Sequence, residues 1–219
     1  MARIGKQVSS SLRAALLALA LLAAAPAPAA SLVVTVLKRD AKPLPGAVIS
    51  AEPDGTPSPA PAVRAIMDQV NLAFVPDVLV IPLHSTVQFP NSDAVSHQVY
   101  SFSSARQFQL PLYRGKPYPP VQFDQPGVVT LGCNIHDNML GYIVVTAAPY
   151  FGRSDARGEF SVPDLPAGRY RVRVWHPLLN EAGPERVVEI HEARATVEFR
   201  LARSLRPAPL TDRPHSWDY

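Results

Sequence analysis

The chain has 219 residues, room for one or two domains, with 24 prolines and a single cysteine. Its formal net charge of +3 comes entirely from Arg3, Lys6 and Arg13 in an N-terminal stretch with no acidic residue, so the remainder is balanced. No basic cluster interleaved with aromatics is present, which argues against a nucleic-acid partner, and one cysteine rules out an internal disulfide.

Residues 1–29 read as a secretory signal peptide. A basic start leads into a short Leu/Ala run, and Ala27-Pro28-Ala29 offers a small-residue cleavage pattern. The run is shorter than the roughly 20 residues a membrane span needs. No twin arginine precedes it and no cysteine sits near the cut. The expectation is general export to the periplasm, with neither lipid anchor nor membrane span after processing.

Next, Leu32 to Leu37 and residues 47–51 read as two short strands around a polar turn, with Pro43-Leu44-Pro45-Gly46 between them. Residues 53–61 are rich in Pro, Gly and Ser and read as an exposed loop. Between 63 and 146, short β-branched and aromatic runs alternate with Pro, Asn, Asp and Gly. Candidate strands cover 63–67, 78–81, 86–89, 97–102, 108–110, 121–123, 128–131 and 142–146. Helical periodicity is absent beyond the leader, so an all-β sandwich or barrel is expected.

From 149 to 201 the texture changes. Asp155-Ala156-Arg157-Gly158 and residues 164–168 are turn signals. Residues 169–175 alternate Tyr170, Val172 and Val174 against arginines, and 186–190 and 195–201 alternate too, as a half-buried antiparallel sheet does. Residues 203–219 read as a loose tail.

The chemistry concentrates in residues 128–145, VVTLGCNIHDNMLGYIVV. Two apolar β-branched runs flank a loop that presents Cys133, His136 and Met139 at spacings of three. A buried inert thiol is the bland reading of Cys133, but a lone thiol in an exported chain, with imidazole and thioether at fixed offsets, points to a metal. Thiolate, imidazole and thioether are a soft donor set of the kind copper prefers; Cys plus two His with a weak axial Met is the blue-copper arrangement. His97 is the candidate fourth ligand, because it opens a strand and is therefore anchored. His84 lies in a turn with no matching partner. No Ser-His-Asp arrangement, paired-carboxylate pattern or phosphate loop is recognisable, so no enzymatic activity is expected.

Phe89-Pro90-Asn91 through His97, followed by Cys133-Asn134-Ile135-His136-Asp137-Asn138-Met139, resembles the cupredoxins, with the Cys-x-x-His-x-x-Met spacing of the amicyanin branch. The resemblance covers residues 62–147 and implies a Greek-key β-barrel or sandwich. It also implies one type 1 copper held by His97, Cys133, His136 and Met139, with electron exit through His136. Partners of the implied kind are a c-type cytochrome or a periplasmic dehydrogenase. Many relatives place Asn after the first histidine to brace the cysteine loop. This chain has Gln98, and Ser96 or Asn91 can substitute. The whole exported chain also resembles plastocyanin-like proteins labelled as methylamine utilization proteins, a pathway association only.

Residues 34–51 and 154–170 are similar to carboxypeptidase regulatory-like and transthyretin-like modules. Neither piece alone has strands enough to bury two faces. The reading is a discontinuous Ig-like sandwich from 31–57 and 149–202, with the copper unit inserted; the alternative adds the first strands to the cupredoxin sheet. Function is expected to be single-electron transfer, the alternatives being a copper carrier or store and a non-redox binding module. Oligomeric state is left open.

Overall fold

The computed structural model describes residues 30–55, 58–115, 117–179, 182–191, 194–202 and 205–206. The expected signal peptide at 1–29 lies outside the described residues. So does most of the expected tail at 203–219, His215 included. Within that tail, Leu205 packs on an apolar core and the Arg206 amide donates to Leu178 O at 3.0 Å.

The described chain is all-β, as expected. Two strands come first, β1 (Ala30–Leu37) and β2 (Val48–Pro53). Ten follow: β3 (Arg64–Ile66), β4 (Asp68–Val70), β5 (Ala73–Val75), β6 (Val78–Pro82), β7 (Ser85–Gln88), β8 (His97–Ser103), β9 (Arg106–Tyr113), β10 (Val121–Phe123), β11 (Gly127–Gly132) and β12 (Leu140–Thr146). The last are β13 (Tyr150–Arg153), β14 (Glu159–Leu165), β15 (Gly168–Trp175), β16 (Glu185–Ile190) and β17 (Arg194–Arg200).

The strands sort into two sandwiches, each around its own core. Sheets β14-β1-β17 and β13-β2-β15-β16 face one another across Leu32, Val34, Ile49, Tyr170, Val172 and Phe199. Period-2 patterning explains this: in β15 the arginines at 169, 171 and 173 are exposed while Tyr170, Val172 and Val174 are buried. Each buried aliphatic or aromatic side chain contributes about 1.5–3 kcal/mol relative to exposure. The first strand is central in its sheet, antiparallel to β14 and parallel to β17, so both its partners come from the C-terminal part of the chain.

The second core holds Phe74, Ile81, Phe89, Val99, Phe123, Leu131 and Ile143. It lies between sheets β10-β7-β3 and β6-β12-β11-β8-β9. The chain leaves the first sandwich at β2 and returns at β13, and these strands pair, with Ala51 opposite Tyr150. Entry and exit of residues 58–148 are thus side by side. Arg153 ties the units together by donating to Asp77 Oδ1 at 3.2 Å and Val78 O at 3.1 Å, and the Tyr142 and Trp175 rings meet edge-on at 5.4 Å.

Two features escape the strand pattern. The β4–β5 hairpin turns through Asn71 and Leu72, with φ of 52° and 60°. Such turns favour Asn-Gly, and a leucine there gives no turn signal. The four-residue β13 is half-buried along most of its length and shows no alternation.

Close approach makes Gly141 a packing position. A Cβ there would lie 2.9 Å from the Cβ of Phe74, itself 2% exposed and unable to swing aside. Gly141→Ala is expected to lower stability by about 1–3 kcal/mol through overpacking. A chemical-denaturation midpoint unchanged from wild type contradicts this packing.

Candidate metal centre

Strand β11 runs between β12 and β8 in the five-stranded sheet. Gly132 pairs with Leu140 on one side and with Tyr100 on the other. The first pairing closes a hairpin whose loop runs from Cys133 to Met139; the Met139 amide donates to His136 O at 3.0 Å and tightens it. The second brings the start of β8, where His97 stands, beside Cys133.

The three nitrogen and sulfur donors predicted from the sequence converge. Cys133 Sγ lies 3.6 Å from His136 Nδ1 and 4.0 Å from His97 Nδ1, and the two Nδ1 atoms are 3.0 Å apart. An ion in a trigonal plane, about 2.3 Å from sulfur and about 2.05 Å from each nitrogen, needs sulfur–nitrogen edges of about 3.8 Å and a nitrogen–nitrogen edge of about 3.5 Å. Both sulfur edges fit. The short nitrogen edge is a hydrogen-bond length, which requires a proton on one imidazole; ligation requires that proton to leave.

Burial grades the donors. His97 is fully buried, Cys133 is 5% exposed and Met139 2%. His136 is half-buried and meets the surface. Met139 shares the apolar cluster of Cys133. Around His136 the loop exposes Ile135, Asp137 and Asn138, and Val95 is exposed on the facing loop.

The cysteine loop is braced across the β8–β11 junction. The Gln98 amide donates to Cys133 Sγ at 3.5 Å, and Asn134 Nδ2 donates to Gln98 Oε1 at 2.7 Å. Gln98 itself therefore makes the brace that the sequence left to Ser96 or Asn91. Asn91 shapes the other loop, donating to Val95 O and Tyr113 O at 2.9 Å each.

Sequence reasoning missed Asp93. Its Oδ2 lies 3.0 Å from His97 Nε2, four residues on. The available signal was a carboxylate one short loop ahead of a strand-opening histidine. Tyr113, opposite His97 in the β8–β9 ladder, was also missed. Its hydroxyl donates to Phe89 O at 2.6 Å and accepts from Gln69 Nε2. The remaining described histidines stand apart: His84 meets Asp124 and His191 meets Glu189, both exposed pairs at 3.0 Å. His176 is half-buried, and burial pushes its pKa down.

No family model matches the chain, and no curated protein does. Among solved structures it is similar to a purple cupredoxin from Nitrosopumilus maritimus, at 24% identity over 37% of this chain and 99% of that one, TM-score 0.34. It is similar to a copper-containing nitrite reductase from Thermus scotoductus SA-01, at 27% identity over 43% of this chain, TM-score 0.35; the match spans 25% of that reductase. A reduced amicyanin mutant is similar at 20% identity over 44% of this chain and 99% of that one, TM-score 0.34.

Burial pushes the Tyr113 hydroxyl up to about 12 from the ordinary 10, against the lowering effect of its Gln69 hydrogen bond. The folded chain keeps this proton to higher pH than the unfolded chain. The stability it contributes is therefore complete below pH 10 and is lost as pH rises towards about 12. Tyr113→Phe is expected to flatten that alkaline decline in urea-unfolding midpoints, and slopes equal to wild type contradict the assignment.

Proposed function

We propose that the chain is an exported, periplasmic copper protein that carries single electrons between redox partners. His97, Cys133 and His136 hold one ion in a trigonal plane, with Met139 as a weak axial ligand. The observation that carries this reading is the convergence of one cysteine sulfur and two imidazole Nδ1 atoms, all within 4.8 Å of one another, on a frame of paired strands. Thiolate with imidazole selects copper over hard cations, and a weak thioether suits a redox site better than the closed tetrahedral shell of structural zinc. Copper supplies a one-electron couple there.

The protein's own contribution is rigidity. His97 is fixed at the start of β8, and Cys133 follows the last residue of β11. The Gln98 amide meets the sulfur and its side chain holds Asn134. A donor set held this way changes little between oxidation states. His136 is the one donor of the four that is half-buried rather than buried, which supports it as the point where electrons enter and leave. The partner is a redox protein that docks transiently over this edge, a c-type cytochrome or a periplasmic dehydrogenase. No catalytic chemistry is assigned to the site.

Copper loading tests the proposal. Addition of Cu(II) is expected to give an intense visible band from sulfur-to-copper charge transfer, and Cys133→Ser is expected to abolish it. A colourless Cu(II) complex of the wild-type protein contradicts the assignment. Exchangeable Cu(I) binding without reversible voltammetry indicates a carrier instead.

A further inference from the structure

The imidazole of His97 is held from both ends. Its Nδ1 faces Cys133 and His136, and its Nε2 faces Asp93 Oδ2 at 3.0 Å. The carboxylate side chain is 14% exposed and the histidine side chain 0%. Among the described residues, the His97 imidazole is the only ion-pair partner of Asp93.

Asp93 is itself fixed from three directions. Oδ2 also accepts the Leu72 amide at 2.8 Å, across from the β4–β5 hairpin. Oδ1 accepts the Ala94 amide at 2.9 Å, and the Asp93 amide donates to Asn91 Oδ1 at 3.0 Å. The next residue back is anchored too, for Ser92 Oγ donates to Asp68 Oδ2 at 2.7 Å. Leu72 has a φ of 60°, a left-handed conformation that is unfavourable for a non-glycine residue. Such a residue persists only where its surroundings hold it, and the bond from its amide to Asp93 does so.

An ionised carboxylate only accepts hydrogen bonds. At 3.0 Å from Nε2 it requires the proton on that nitrogen and leaves the Nδ1 lone pair aimed at Cys133 and His136. A negative charge behind a ligand imidazole also makes it a stronger donor and favours the more positively charged form of a bound ion.

We propose that Asp93 is a positioning residue of the metal centre: it fixes His97 as the Nε2–H tautomer and biases the site towards the oxidised ion. The tautomer half stands without a metal. The redox half rests on the copper reading above.

The test has two arms on the full chain. In the first, long-range proton–nitrogen correlation spectra of histidine-labelled protein, stripped by a chelator, report the tautomer of His97. Nε2–H is expected in the wild type; an Nδ1–H tautomer overturns the proposal. In the second arm, Cu(I) and Cu(II) affinities and the midpoint potential are measured for wild type, Asp93→Asn and Asp93→Glu. Asp93→Asn is expected to lower Cu(II) affinity about tenfold relative to Cu(I), which reads as a rise of about 59 mV in the one-electron potential. Asp93→Glu is expected to recover most of that change. An affinity ratio for Asp93→Asn within twofold of wild type overturns the proposal. Should Asp93→Asn not fold, Asp93→Glu and the wild-type tautomer decide. A wild-type protein that binds no copper removes the copper reading and the redox half with it, while the tautomer result still judges the role of Asp93 at His97.

Discussion

The pairing of Gly132 with Tyr100 is the constraint on which the site depends. It sets the register of β11 on β8, and side chains alternate faces along a strand, so a slip of one residue would turn each of them to the opposite face. In the observed register the Gln98 amide reaches Cys133 Sγ and the Gln98 side chain reaches Asn134. The hairpin partner β12 then returns the loop so that His136 closes the triangle. The sequence separation between His97 and Cys133 is bridged by sheet geometry rather than by any local motif.

Polar contacts behind the site keep the β7–β8 loop from relaxing. Asn91 spans that loop, Asp93 locks it to the β4–β5 hairpin and to His97, and Asp68 holds Ser92. A buried polar group is costly unless satisfied, and buried Asn91 donates to the backbone carbonyls of Val95 and Tyr113. The outer sandwich adds a separate core, joined through Arg153 and the Tyr142–Trp175 contact. Because Tyr142 belongs to β12, the strand that carries the ligand loop back, the two units meet on an element of the site.

What the sequence revealed depended on whether the signal was local. The Cys133, His136 and Met139 spacing was legible because one short loop carries all three. The alternation in β15 was legible because its arginines face water. His97 was found through its place at a strand start. Asp93 was not, because its role appears only when Leu72 and His97 are seen to share its carboxylate. The Gln98–Asn134 brace was hidden for the same reason, since each residue alone is an ordinary polar side chain. The β4–β5 hairpin was missed because Leu72 takes a conformation that glycine or asparagine usually marks. Pairing of β1 with β17 joins distant parts of the described chain; no window along the sequence displays it, and only the resemblance of 34–51 and 154–170 to one kind of module suggested that such distant pieces share a sandwich.

On this reading the protein, not the ion, sets the shape of the site. X-ray absorption at the copper edge, recorded on the oxidised and the reduced protein, tests it most directly. One short sulfur bond and two nitrogen bonds are expected in both states, with bond lengths barely changed by reduction. A shell of only nitrogen and oxygen, or loss of an imidazole on reduction, contradicts it.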